Sequence, residues 1–138
     1  WFGQNATPNG SLNPALGLTG IRLCLAEPVM FRTQMRAILR ASAQGKVNMM
    51  WPMIASLTEL KQCMVHFETA KRQLAERGEE YGEVSLGCMI EIPSAALTVG
   101  SLLKLVDFIS IGTNDLTQYA LAVEPPAQLP VAAGQGAL

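Results

Sequence analysis

No stretch of this sequence stays apolar long enough to cross a membrane. Its longest apolar runs are interrupted by Pro52 and Lys104, well short of the roughly 18 residues a spanning helix needs. A basic excess is missing too. The net charge is −1 and the pI about 5.8, so neither nucleic acid nor an anionic membrane surface is an expected partner. Cysteine is sparse. Cys24, Cys63 and Cys88 are far apart and form no Cys-x-x-Cys, which argues against a zinc site and against a disulfide framework. Reduced thiols in a cytoplasmic protein are the expectation. A charged leader followed by an apolar segment is also missing. The opening "WFGQNATPNGSLNPALG" is polar and turn-rich, so it is not a signal peptide. It reads as an internal loop of something longer. No 20–50-residue repeat is visible.

What is present suits one domain with a sizeable core: 138 residues, 49% hydrophobic. Residues 1–17 read as loop. Residues 20–43 read as helix with a break at Pro28, and Phe31, Met35, Ile38, Leu39 and Ser42 share one face. Gly45 closes that helix. Arg32, Arg36 and Arg40 form a basic stripe, expected to be a solvated face. "VNMMWPM" (47–53) reads as a buried strand. Ser56 to Glu59 matches a capping box opening a helix that ends at Gly78. Its apolar stripe is Leu57, Leu60, Met64, Phe67, Ala70 and Leu74. His66 lies off that stripe and is expected to be exposed. "VSLGCMIEI" (84–92) is a second strand, Pro93 opens a helix reaching about Leu105, and "VDFISIG" (106–112) is a third strand. Apolar strands alternating with helices predict an α/β fold with parallel strands and outer helices. Residues 124–138, almost all Pro, Ala, Gly, Val, Leu and Gln, read as an unstructured tail.

Ligands of α/β sheets sit beyond the carboxyl ends of the strands. Two carboxylates fall there, Glu91 after the second strand and Asp115 three residues past the third. Neighbouring strands are about 5 Å apart, so the two can share one hard cation, and Mg²⁺ needs few protein ligands. Between strand and Asp115 stands "GTND". Gly112 would let a ligand approach the backbone, and Thr113 and Asn114 offer neutral donors to an anion. A metal with donors is what a phosphate or carboxylate requires. An ordinary turn is the alternative for this tetrad. Strand alternation sends Glu91, Met89 and Gly87 one way and Cys88 toward the helices, as a packing residue.

The motifs "NPALGLTGIR" (13–22), "RAILRASAQGK" (36–46), "WPMI" (51–54), "MIEIPSAA" (89–96) and "VDFISIGTNDLTQYALAV" (106–123) resemble, in order and spacing, the phosphoenolpyruvate-binding barrel of enzyme I of the bacterial sugar phosphotransferase system. The resemblance covers residues 12–123. It implies part, roughly half, of a (β/α)8 TIM barrel over residues 1–123. It also implies Mg²⁺ held by Glu91 and Asp115, and substrate contacts from Asn114 and Asp115. The implied activity is phosphoryl transfer from phosphoenolpyruvate to a histidine on another domain, then to the carrier protein HPr for sugar uptake. A cytoplasmic homodimer is the implied assembly. Thr19 stands where the family pattern has a substrate-binding arginine, leaving Arg22 as the nearby cation. Glu124-Pro125-Pro126 stands where the family has Asp-Arg-Gly. The family's catalytic cysteine, in a Gly-Met-Cys-Gly-Glu context, and its phosphoaccepting histidine domain have no counterpart in these 138 residues. This chain alone is therefore expected to be inactive. Two other classes stay open: a remnant with at most a binding role, and a Mg²⁺-dependent lyase of the pyruvate/phosphoenolpyruvate barrel superfamily.

Overall fold

The computed structural model describes residues 18–123. The expected loop at 1–17, the tail at 124–138, the start of the first motif and the Glu124-Pro125-Pro126 replacement lie outside the described residues.

The chain opens with α1 (Gly20–Ala26) and α2 (Pro28–Ser42). The break falls where Pro28 predicts it. A proline starts a helix well, because its missing N–H is one the first turn cannot use. Phe31, Met35, Leu39 and Ser42 bury one face of α2, and Ile38 packs partly against the same core. The arginine stripe is only partly solvated, contrary to expectation. Arg32 meets His66 (Nη1 to Nδ1, 3.3 Å), Arg36 donates to Gln73, and Arg40 pairs with Glu79 at 2.9 Å. The stripe therefore runs along the seam between α2 and the next long helix. His66 is half-buried rather than exposed, with its ring edge-on to Phe31 at 5.6 Å. Burial, then the Arg32 charge, lowers its pKa.

After β1 (Val47–Trp51) comes α3 (Leu57–Glu76). Its capping box forms as predicted: the Glu59 N–H donates to Ser56 Oγ at 3.2 Å, and Glu59 Oε2 accepts the Ser56 and Ala55 N–H groups. Gly78, at φ +67, ends the helix. The Gly78 N–H donates to the Ala75 carbonyl and the Glu79 N–H to that of Leu74, a Schellman closure that needs a left-handed residue. Cys63 joins Leu60, Phe67, Ala70 and Leu74 in the buried stripe. Next come β2 (Val84–Ile90), α4 (Pro93–Leu97), α5 (Val99–Leu102), β3 (Phe108–Ile111) and α6 (Thr113–Leu121). The single helix expected over 93–105 is two short ones. They are divided at Thr98, whose N–H is shared between the Ser94 and Ala95 carbonyls.

The three strands form a parallel sheet in the order β1-β2-β3. Asp107 fixes the start of the β2–β3 ladder: its N–H donates to the Leu86 carbonyl and its carboxylate accepts the Leu86 N–H, both at 2.8 Å. Met49, Trp51, Cys88 and Ile90 face one continuous core with the buried residues of the helices. Asn48, Met50, Ser85 and Met89 alternate onto the opposite face. On that face Gly87 lies beneath the Phe108 ring, where a Cβ would fall 2.5 Å from it. Cys88 points into the core, as the alternation required. All three cysteines are buried free thiols, and burial raises the pKa of each. Among the described residues no helix is long and apolar enough to cross a membrane.

Candidate functional site

Parallel pairing decides which residues meet at the strand ends. Ile90 of β2 is in register with Ile111 of β3, and the Gly112 N–H donates to the Ile90 carbonyl at 3.0 Å. The next residues, Glu91 and Gly112, are therefore side by side. Glu91 is 3% exposed. Its Oε1 accepts the backbone N–H of Met53, beyond the end of β1, at 2.6 Å. A Cβ on Gly112 would fall 2.6 Å from Glu91 Oε2 and 2.8 Å from its Cβ. The space that the sequence suggests for a ligand at Gly112 is filled by the Glu91 side chain. Glycine is needed there so that this carboxylate can lie across the strand end.

Gly112 is also the N-cap of α6. "GTND" is thus the start of a helix, not a free-standing turn. The four residues look like a turn because an N-cap and a β-turn favour the same small polar types. The helix sets Asp115 in its first turn, where its side chain and that of Glu91 are within hydrogen-bonding reach. Two ionised carboxylates cannot bond to each other; a shared proton or a cation must offset their repulsion. Accordingly the Glu91 pKa is raised, by burial first and by Asp115 as a neighbour, against the lowering effect of the Met53 N–H.

One helical turn beyond Asp115 stands Tyr119, which sequence reasoning misses. It is half-buried. Burial raises its pKa, the charges of Asp115 and Glu91 add to the rise, and Arg22 opposes it. Tyr119 thereby belongs with both carboxylates and with Arg22. The i, i+4 spacing of Asp115 and Tyr119 is the sequence signal, visible only once 113–121 is recognised as helix. Arg22, on α1, is half-exposed and lies 3.9 Å from Glu59, a loose pair that leaves the guanidinium usable. Thr19 is the N-cap residue of α1, extended and without a side-chain capping bond. Its neighbour Gly20 packs against Met53, whose N–H is bonded to Glu91. Asn114 is exposed beside Asp115 in the first turn of α6.

The donor set fits a hard dication. Glu91 is desolvated and faces a like charge, a costly arrangement that a cation relieves. Among the described residues no cluster of three or more His, Cys, Asp or Glu forms, so these residues would contribute two carboxylates. Mg²⁺, which keeps several waters and takes substrate oxygens, accepts so few.

Residues 6–132 match the family model described as PEP-utilising enzyme, PEP-binding domain, PEP being phosphoenolpyruvate. The chain is 54% identical over 115 residues to a phosphoenolpyruvate-protein phosphotransferase of Cupriavidus necator, an alignment covering 83% of this chain and 20% of that protein. It is 55% identical over 114 residues to a multiphosphoryl transfer protein of Rhodobacter capsulatus, covering 81% of this chain and 13% of that one. To the phosphoenolpyruvate-protein phosphotransferase of Bacillus subtilis it is 46% identical over 114 residues, covering 82% and 20%. The chain belongs to the PEP-utilising enzyme family, within the PEP-binding domain. It spans a fifth or less of the length of these relatives.

Proposed function

We propose that this chain forms the metal-holding part of the phosphoenolpyruvate site of an enzyme I-type phosphotransferase. The observation that carries the reading is Glu91, buried at the end of β2 and set against Asp115 at the start of α6. The names of the relatives support the substrate and the reaction class. The three parallel strands and their helices form part of a (β/α)8 barrel, with residues 1–123 in that domain and 124–138 as a tail. The lyase and remnant readings gain no support from these relatives.

In this reading Glu91 and Asp115 hold Mg²⁺, which when bound supplies positive charge to the phosphoryl oxygens. Glu91 keeps one oxygen on the Met53 amide, which fixes the direction of the other. Asn114 donates to the substrate phosphate from the first turn of α6, where backbone N–H groups lack helical partners. Arg22 adds a cation at the rim. Thr19 supplies only a neutral hydroxyl where a guanidinium would bind bidentately. The residues position substrate and spread charge, which is most of what phosphoryl transfer asks of a protein. The acceptor histidine and the proton donor to the enolate come from outside this chain. The whole protein is cytoplasmic and homodimeric, and passes phosphate to HPr for sugar uptake.

A chimera tests this. Residues 18–123 replace the matched segment of the Bacillus subtilis relative, with Thr19→Arg, and labelled phosphoenolpyruvate, Mg²⁺ and HPr are added. HPr becomes labelled, whereas the 138-residue chain alone labels nothing. A folded but inactive chimera contradicts the assignment, and label on HPr from the chain alone contradicts the claim that it holds only part of the site.

A further inference from the structure

Among the described residues two non-glycine residues have positive φ, Met53 (+55°) and Ala122 (+53°). Ala122 is the C-cap of α6, a place where left-handed backbone is ordinary. Met53 has no such reason. It is long, follows Pro52, and sits between a strand and a helix. A bulky side chain holds that conformation only where its surroundings over-determine it. Two contacts do so. The Met53 N–H donates to Glu91 Oε1 at 2.6 Å. The Met53 side chain lies against Gly20, where a Cβ would fall 2.7 Å from Met53 Cγ and 2.9 Å from its Cβ. Gly20 is itself left-handed, at φ +55. It opens α1, between Thr19 and the turn bearing Arg22.

We infer that Gly20 and Met53 are positioning residues acting as one unit: Gly20 seats Met53, and the Met53 amide aims the Glu91 carboxylate at Asp115. The unit joins the segment carrying Thr19 and Arg22 to the carboxylate pair, so a shift of α1 is felt at Glu91. Its consequence for metal affinity rests on the metal reading proposed above. Its geometric part does not.

Five forms of the chain are compared: unaltered, Gly20→Ala, Met53→Gly, both together, and Glu91→Ala as the reference that lacks the carboxylate. Met53→Gly keeps the N–H, accepts the left-handed backbone and removes the side chain that the new methyl would strike. Mn²⁺ affinity is read by the paramagnetic resonance of free Mn²⁺, and the backbone amide proton at position 53 by NMR in every form. Gly20→Ala weakens Mn²⁺ binding about 10-fold, as loss of an orienting partner does. It also moves the Met53 amide proton upfield, toward its position in Glu91→Ala. Combining it with Met53→Gly adds no further loss to that of Met53→Gly alone, a non-additivity that marks direct contact. The alanine stays at positive φ in both backgrounds, so recovery isolates the steric contact from backbone strain. If Gly20→Ala alone does not fold, folding regained in the double variant reports the same coupling. Losses that multiply, or an amide proton indifferent to Gly20→Ala and Glu91→Ala, overturn the inference even where Mn²⁺ binds. An unaltered chain that binds no Mn²⁺ while its amide responds as described leaves the positioning unit intact and removes the metal reading.

Discussion

Two charged regions of this molecule obey opposite rules. Along the α2–α3 seam, Arg32, Arg36 and Arg40 reach a histidine, an amide and a carboxylate, in part-exposed positions. Each charge has access to solvent, and its partner is neutral or of opposite sign. At the strand ends, Glu91 is buried and set against Asp115, like against like. The first region could be redrawn at little cost to the fold. The second costs the fold something. A cost of that kind is what a binding site imposes, since a site must be arranged for a ligand rather than for itself.

The contrast can be broken at several points. Gly112→Ala has the largest expected effect. Its methyl would displace the Glu91 side chain, costing about 1–3 kcal/mol by overpacking and removing divalent-ion binding with it. Chemical denaturation and a Mn²⁺ titration read both. Thr19→Arg comes next. It adds a second guanidinium beside that of Arg22, so on the proposed reading phosphoenolpyruvate binds the Mg²⁺-loaded chain about tenfold or more tightly, as one added charge-assisted, bidentate contact allows. Equilibrium dialysis measures it, and unchanged affinity separates Thr19 from the site.

Glu91→Gln sharpens the comparison through pH. Because the folded pKa of Glu91 is raised above its ordinary value of 4.5, the fold holds this proton more tightly than the unfolded chain does. That contribution to stability is complete below the unfolded value and is lost as pH rises through the folded one. Metal-free Glu91→Gln is therefore more stable than the unaltered chain at neutral pH, and the two converge in acid. Melting curves from pH 4 upward show it; a variant less stable at pH 7 would mean that the ionised carboxylate supports the fold. The smallest effect is at the seam. Arg40→Ala changes stability by about 0.5 kcal/mol or less, as exposed pairs do, and leaves Mn²⁺ affinity unchanged.

How much of this is readable in the sequence differs between the two regions for a physical reason. Hydrophobic period and caps are local, so Pro28, the Ser56–Glu59 box, Gly78 and the order of three strands are all legible. Glu91 and Asp115 are legible because each follows an apolar run that ends at a strand end. What cannot be read depends on contacts between distant segments. The alignment of Ile90 with Ile111 puts Glu91 on Gly112, so the glycine serves the carboxylate rather than a ligand. Met53 carries no sign of its positive φ, since methionine has no preference for it. Tyr119 enters the site only because "GTND" caps a helix. His66 and the arginines look solvated in the sequence because a single helix cannot reveal the neighbour lying along it.

The central claim is that buried Glu91 and half-buried Asp115 form a divalent-cation site. It is tested most directly by titrating Mn²⁺ into the metal-free chain and into Asp115→Ala, following free Mn²⁺ by its paramagnetic resonance. The account predicts one bound ion per unaltered chain, displaced by Mg²⁺, and none on Asp115→Ala with its fold intact. Binding that survives Asp115→Ala at the same affinity would contradict it.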